Sequence, residues 1–424
     1  MNKSHPHRRL LPPVLTFCAL LAACVTIEKA PPTCPPQPPP CPPCAAVPTL
    51  PETTPAAPPA QPLQAARWSD LPGWNNDDLP AAWPAFLQSC RGLAGTSRWP
   101  AWRAVCEQAR VVADTDTPAI RDFFESRFAP YLLTNPDGST QGLVTGYYEP
   151  LLRGSRTRTE KYSQPVLGVP PDLLTIDLSD VLPDLKNMRL RGRLVGDRVL
   201  PYFSRAEIAE QGLADLHPEK VLLWIDDAVE LFFLQIQGSG RVKLADGSVV
   251  RLGYANQNGH PYKAIGRVLA ERGELPIEQA SMQGIQAWAR ANPSRLAELL
   301  DANPSYVFFR ETPVRGNGDK DGGDDAEGPQ GALGVPLTPG RSIAVDPRHV
   351  PLGAPVFLST TEPLSKVPLT RLVLAQDTGG AIRGVARADF FWGFGADAGV
   401  RAGRMKQSGA MWVLLPVDSG AASP

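Results

Sequence analysis

From Pro31 to Pro62 nearly every second residue of this 424-residue chain is proline, with Ala, Thr and Gln between. Proline fixes φ and lacks a backbone donor, so such a tract neither pairs as a strand nor continues a helix. It cannot bury a core and favours polyproline II. At about 3.1 Å per residue it reaches roughly 100 Å when extended. The folded part must lie beyond it, in roughly 360 residues, which is enough for two domains with real cores.

The residues before the tract read as an address. Lys3, Arg8 and Arg9 precede an apolar run from Leu10 to Ala23, interrupted by Pro12 and Pro13 and short for a membrane span. The run ends in Leu21-Ala22-Ala23-Cys24, small residues before a Cys, which is the bacterial lipoprotein cleavage pattern. Residues 1–23 are then a signal peptide, Cys24 the acylated first residue and 24–67 a tether. An ordinary signal peptide cut nearby, with Cys24 incidental, is the alternative. Val25 stands where an Asp would have suggested inner-membrane retention, so the periplasmic face of the outer membrane is the expected location. No second long apolar run exists, so the mature chain is expected to be anchored and not to span. Cys34, Cys41 and Cys44 in the tether have no His or fourth Cys near them to complete a metal site. Cys90 and Cys106 lie in the folded region, where an oxidising compartment permits a disulfide or two free thiols.

Net charge is −1, which gives no electrostatic case for nucleic acid. Between Trp68 and about Phe128 the apolar spacing is helical. From Gly142 short β-rich runs take over: Leu143 to Tyr148, Val221 to Ile225, Leu231 to Gln237, Ser248 to Tyr254, Tyr306 to Phe309, Val356 to Leu358, Leu372 to Ala375 and Met411 to Leu415. Pro261 to Arg272 and Gln279 to Asn292 return to helix. Asn317-Gly-Asp-Lys-Asp-Gly322 mimics the start of a calcium loop, but the Glu that should close it is absent. The five His show no His-Glu-x-x-His spacing, so zinc hydrolysis is not expected, and no metal or cofactor is assigned.

The chemistry-bearing candidates are carboxylates and amides in apolar company. Asp377 and Asp389 sit within apolar runs on either side of Gly379-Gly380. A poorly solvated carboxyl has a raised pKa, and a neutral carboxylic acid is what cleavage of a glycosidic bond requires. Capping a turn is the competing role for both. Thr145-Gly146-Tyr147-Tyr148-Glu149 puts two aromatics and an acid at a strand end. Gln235 and Gln237 alternate with apolar residues, so a strand there would carry amides on one face, suited to sugar hydroxyls and N-acetyl groups; an edge strand facing water reads equally well. Asp346 precedes Pro347 and is suited to fixing a turn.

These pieces form an ordered set: GYYEP, QIQGSGRV, NPSYVFF, PLTPGRSIAVDPRxxPLGAPVFL, AQDTGGAIRG and ADFFWGxGxxAGxxAGxMK. By them the chain resembles the membrane-bound lytic murein transglycosylase A family of Gram-negative bacteria from about residue 125 to 418. The C-terminal part also resembles the module called 3D after three aspartates, here Asp346, Asp377 and Asp389. The resemblance implies a mainly β fold with helices (α+β), a double-psi β-barrel interrupted by a smaller inserted β-rich domain. The barrel would combine 68–149 with 311–418 and the insert would span 150–310, with a glycan groove between them and a tail at 419–424.

It also implies a reaction. Asp389 would be the single acid/base, protonating the oxygen between N-acetylmuramic acid and N-acetylglucosamine. It would then take the proton of the muramoyl C6 hydroxyl as that oxygen closes on C1, leaving a 1,6-anhydro end. Asp377 would support it. Thr145, Gly146, Tyr147, Gln235, Gln237, Gly379, Gly380 and Asp346 would line or shape the groove. The partners implied are peptidoglycan strands and the outer membrane's lipid. Two other readings remain: a lipoprotein that holds glycan without cutting it, and a hydrolase using Asp377 and Asp389 as an acid–base pair.

Overall fold

A computed structural model describes residues 61–185, 188, 190–312 and 328–417. The segments read above as signal peptide and tail, Cys24, Cys34, Cys41, Cys44 and the calcium-like segment lie outside the described residues. Among the described residues no helix is long and apolar enough to cross a membrane.

Three helices open the fold: α1 (Leu79–Leu93), α2 (Trp99–Ala109) and α3 (Thr117–Arg127). Each carries a proline in its first turn, where the missing N–H costs nothing. Asp78 and Asp116 cap α1 and α3 by accepting from the N–H groups of Ala81 and Ala119. Their inward faces bring Trp83 and Phe86 against Phe123 and Phe124 in edge-to-face contacts. Burial of each such ring contributes about 1.5–3 kcal/mol. A disulfide between Cys90 and Cys106 ties α1 to α2.

The strands follow. β1 (Phe128–Leu133) and β2 (Gly142–Glu149) precede the inserted sheet, made of β3 (Leu151–Ser155), β4 (Gln164–Leu167), β5 (Val221–Ile225), β6 (Ser239–Lys243), β7 (Val249–Gln257) and β8 (Val307–Thr312). Helix α4 (Ala228–Gln237) lies between β5 and β6. The chain then supplies β9 (Ser342–Val345), β10 (Pro355–Thr361), β11 (Pro368–Asp377), β12 (Ala388–Phe394), helix α5 (Gly395–Arg404) and β13 (Lys406–Pro416).

One sheet runs β1-β13-β10-β11-β9-β12-β2, with the short segment Leu63–Ala65 paired antiparallel to the outer edge of β1, and β2 pairs back onto β13. Six strands thereby close into the expected double-psi barrel, with β9 and β11 parallel and β12 and β2 parallel. The inserted sheet has the order β8-β7-β6-β3-β5-β4. Buried polar contacts pin α1 and the residue before its cap to the barrel. Arg341 pairs with Asp77 at 2.9 Å, and Gln376 donates from its amide to the Ala85 carbonyl and Ser89 hydroxyl of α1.

One expected element is corrected. Leu231 to Gln237 is not a strand but part of α4. Asp227 caps it, accepting from the N–H groups of Val229 and Glu230, and Gly238 ends it at φ 79°. That φ suits Gly, which carries no Cβ penalty there. Between these two stops nothing breaks a helix, and its apolar residues bury on the insert's core.

Candidate active site

The barrel registers set the site. Asp389 pairs with Thr145 on one side and Ala344 on the other, and Ala344 also pairs with Asp377. Laterally paired residues point to the same face of a sheet. Thr145, Asp389, Ala344 and Asp377 therefore form one row across β2, β12, β9 and β11, and all four line a large cleft. The two acids are two strand spacings apart, roughly 9–10 Å between backbones, with only a methyl group between.

Within that row Asp389 is only partly exposed, and among the described residues no cation lies in ion-pair contact with it. Thr145 donates to its Oδ1 at 2.5 Å, and Arg387 in turn donates to the Thr145 hydroxyl at 2.9 Å. Burial pushes the Asp389 carboxyl up to about 6; the Asp377 charge adds to this, while Thr145 and Arg387 oppose it. The group can thus be neutral or charged near physiological pH, as an acid that must also act as a base requires. Asp377 accepts from the Tyr147 hydroxyl at 3.1 Å and from the Ala332 N–H at 2.9 Å, which orient it. Burial, with the Asp377 charge beside it, keeps Tyr147 well above its ordinary pKa, so it acts as a donor.

The cleft has a volume of about 1360 Å³, more than the roughly 300–1,000 Å³ of small-molecule sites. The insert supplies its other wall. Gln235, on α4, is buried, and its Oε1 has no protein partner among the described residues. Gln237 spends its Oε1 on the Tyr148 N–H, which leaves its amide nitrogen toward the cleft. A Cβ on Gly146 would come within 2.7 Å of Trp392, so Gly146 gives the cleft backbone only. The two later glycines differ. A Cβ on Gly379 would strike Ile382 at 2.8 Å, whereas one on Gly380 would meet nothing within 4 Å.

Asp346 takes the turn-fixing place that is one of its two readings from sequence. It is fully buried and does not line the cleft. Its carboxylate receives the Arg348 guanidinium and the N–H groups of Arg348 and Gly384. Those bonds fix the turn between β9 and β10 against the loop before β12. Glu149 likewise serves structure: fully buried, it receives Arg241 at 3.0 Å and Arg251 at 2.9 Å, joining β2 of the barrel to β6 and β7 of the insert. Arg387 and Ala344 were not singled out from sequence, although Arg387 precedes Asp389 by two, the spacing that shares a strand face.

A barrel-and-insert fold with a tuned carboxyl in an oligomer-sized cleft is that of a glycan-cleaving enzyme. The chain matches the MltA specific insert domain over residues 143–310 and the 3D domain over residues 341–415. It is 33% identical over 330 residues to "Membrane-bound lytic murein transglycosylase A" of Escherichia coli K12, covering 74% of this chain and 75% of that protein. Among solved structures it is similar to MltA from Neisseria gonorrhoeae, 38% identical with a TM-score of 0.70 over 85% of this chain and 93% of that one. E. coli MltA with bound chitohexaose, 26% identical, gives a TM-score of 0.59 over 85% of this chain and 96% of that one. The chain belongs to the membrane-bound lytic murein transglycosylase A family.

Proposed function

We propose that this chain is a lytic transglycosylase that cleaves the β-1,4 bond between N-acetylmuramic acid and N-acetylglucosamine in peptidoglycan and forms 1,6-anhydromuramoyl ends during cell-wall turnover. The observation that carries the reading is Asp389, a cleft carboxyl tuned to about 6 with no ionic partner in contact among the described residues. Its neutral form donates a proton to the glycosidic oxygen as the bond from C1 breaks. The carboxylate then accepts the proton of the C6 hydroxyl as that oxygen bonds C1. The acid is regenerated and no water is consumed. Because the substrate carries its own nucleophile, a second carboxylate at the roughly 5–5.5 Å of a retaining glycosidase is not needed. Asp377 supports by charge and by holding Tyr147. Thr145, Gln235, Gln237 and the open backbone at Gly380 contact the sugars.

Residues 68–149 with 311–418 would form the catalytic unit, 150–310 the second wall. The membrane-bound name of the relatives agrees with membrane association; the lipobox reading specifies a lipid anchor at Cys24 on the outer membrane. Mass spectrometry of fragments released from purified peptidoglycan tests the reaction. Muropeptides lighter by one water than hydrolysed ones are expected. Reducing ends would instead establish a hydrolase, and retained binding with no release a glycan-holding protein. Cys24→Ser should move the chain to the soluble periplasmic fraction; unchanged membrane fractionation would refute the anchor.

A further inference from the structure

Four arginines are buried among the described residues: Arg205, Arg241, Arg251 and Arg341. Three face carboxylates, Arg241 and Arg251 on Glu149 and Arg341 on Asp77. Arg205 has no ion pair among the described residues. Its Nε and Nη2 donate to the carbonyls of Asn303 and Ser305, and its guanidinium lies between the rings of Phe232 and Tyr306, 4.7 and 5.1 Å from their centroids. Nη1 has no protein partner among the described residues, and Arg205 lines the insert's wall of the cleft. Asp301 is near enough for its charge to favour the cation, but it makes no ion pair with it. Burial lowers the Arg205 pKa to about 10, so the cation persists at neutral pH.

A buried charge is costly unless neutralised, and an apolar side chain of similar size commonly serves stability as well or better. A cation with no carboxylate in ion-pair contact among the described residues, on the wall of a binding cleft, is a ready anion receptor, and guanidinium matches carboxylate geometry.

We infer that Arg205 anchors a carboxylate subsite for the substituent on the muramoyl 3-oxygen of the glycan. This rests on the transglycosylase reading and extends it from the sugar chain to what the sugar carries. The carboxylate has two sources, the lactyl group itself or the peptide attached to it.

The test measures dissociation constants of the full chain carrying Asp389→Asn, which stops turnover, alone and combined with Arg205→Met or Arg205→Lys. The ligands are an N-acetylglucosamine hexamer, peptide-free glycan strands with free lactyl carboxylates, and peptide-bearing strands. Arg205→Met should weaken carboxylate-bearing ligands about tenfold more than the hexamer, and Arg205→Lys should recover part of that difference. The peptide is attached through an amide to the lactyl carboxyl. An excess on peptide-free strands alone therefore identifies the lactyl carboxylate, an excess on peptide-bearing strands alone identifies the peptide's own carboxylates, and an excess on both means that the subsite accepts either. Equal losses on all three ligands, or none, overturn the proposal. If Arg205→Met fails to fold, salt decides. The Arg205-containing chain should lose affinity for charged strands as ionic strength rises while its hexamer affinity holds, and parallel curves refute the subsite. The underlying reaction stands or falls separately, on whether the unsubstituted chain releases anhydro ends.

Discussion

Asp346, just past the end of β9, and Asp389, in β12, belong to the same barrel and follow or sit in apolar strands, yet their surroundings push them in opposite directions. Burial alone would raise both. At Asp346 the Arg348 guanidinium and two backbone N–H groups outweigh it and hold the carboxyl well below its usual range. At Asp389 burial meets only one hydroxyl in contact and an arginine out of ion-pair reach, so it wins and the group reaches about 6. The contrast separates a carboxylate that fixes a turn from one left free to exchange a proton. Burial does not mark the difference; the number of donors on the ionised form does.

The largest expected effect tests the Asp389 side. Asp389→Asn removes a general acid/base, a change worth about 10²- to 10⁴-fold in rate, while glycan affinity stays near normal. The same change should stabilise the fold at pH 8. The raised carboxyl favours its neutral form, so its contribution to stability falls as pH climbs from the unfolded value near 4 through about 6. Above that the ionised group costs on the order of 1–3 kcal/mol after screening at the cleft. An amide escapes this, so thermal melts should show a gain at pH 8 that shrinks toward pH 4. A variant with near-normal turnover would sink the assignment.

Asp346→Asn should do the reverse. It weakens charge-assisted bonds to Arg348 and Gly384, expected to cost about 1–3 kcal/mol, seen as a lower urea midpoint. A depressed carboxyl contributes stability above the unfolded pKa that is lost as pH falls through the folded one. The variant's deficit should therefore be full at pH 7 and shrink below about pH 4. If turnover drops without a stability loss, Asp346 reaches the substrate and the contrast fails.

Parts of this contrast were legible in the sequence and parts were not. The helices from Leu79 to Arg127 showed their period because each buries one face, and the barrel strands showed as short apolar runs because several are buried on both faces. Leu231 to Gln237 misled because a short apolar run reads alike as strand or helix; Asp227 before it and Gly238 after it were the stop signals that decide. Helix α5 was not read at all, since Ala and Gly dominate it and its face closes on Tyr148 through Gly399, where a Cβ would come within 2.8 Å. Asp377 and Asp389 stood out by composition. Their separation by Ala344 did not, because it depends on the parallel pairing of β9 with β11 and the antiparallel pairing of β9 with β12, which no local pattern encodes.

A smaller effect reads the tuning of Asp389 directly. As the acid form is required, kcat/KM should fall about tenfold per pH unit on the alkaline side of about 6. A flat profile to pH 8 would mean that the group in play is not this carboxyl. Smaller again, Gly380→Ala should raise KM a few-fold with an unchanged melting temperature, since the added methyl has open space in the fold and meets only the sugar. An unchanged KM would remove the backbone at Gly380 from the glycan contact.

The finest test lies in Asp377→Asn. Its charge helps hold Asp389 up, so removing it should shift the alkaline limb of the profile downward by under one pH unit, with kcat at the optimum lowered only several-fold. The amide can still accept from the Ala332 N–H, so orientation survives. A hydrolase with two catalytic carboxylates predicts otherwise, a loss of about 10²-fold or more at every pH. The size of the Asp377 effect thus decides whether the row across the barrel holds one working acid with a tuning neighbour or a pair.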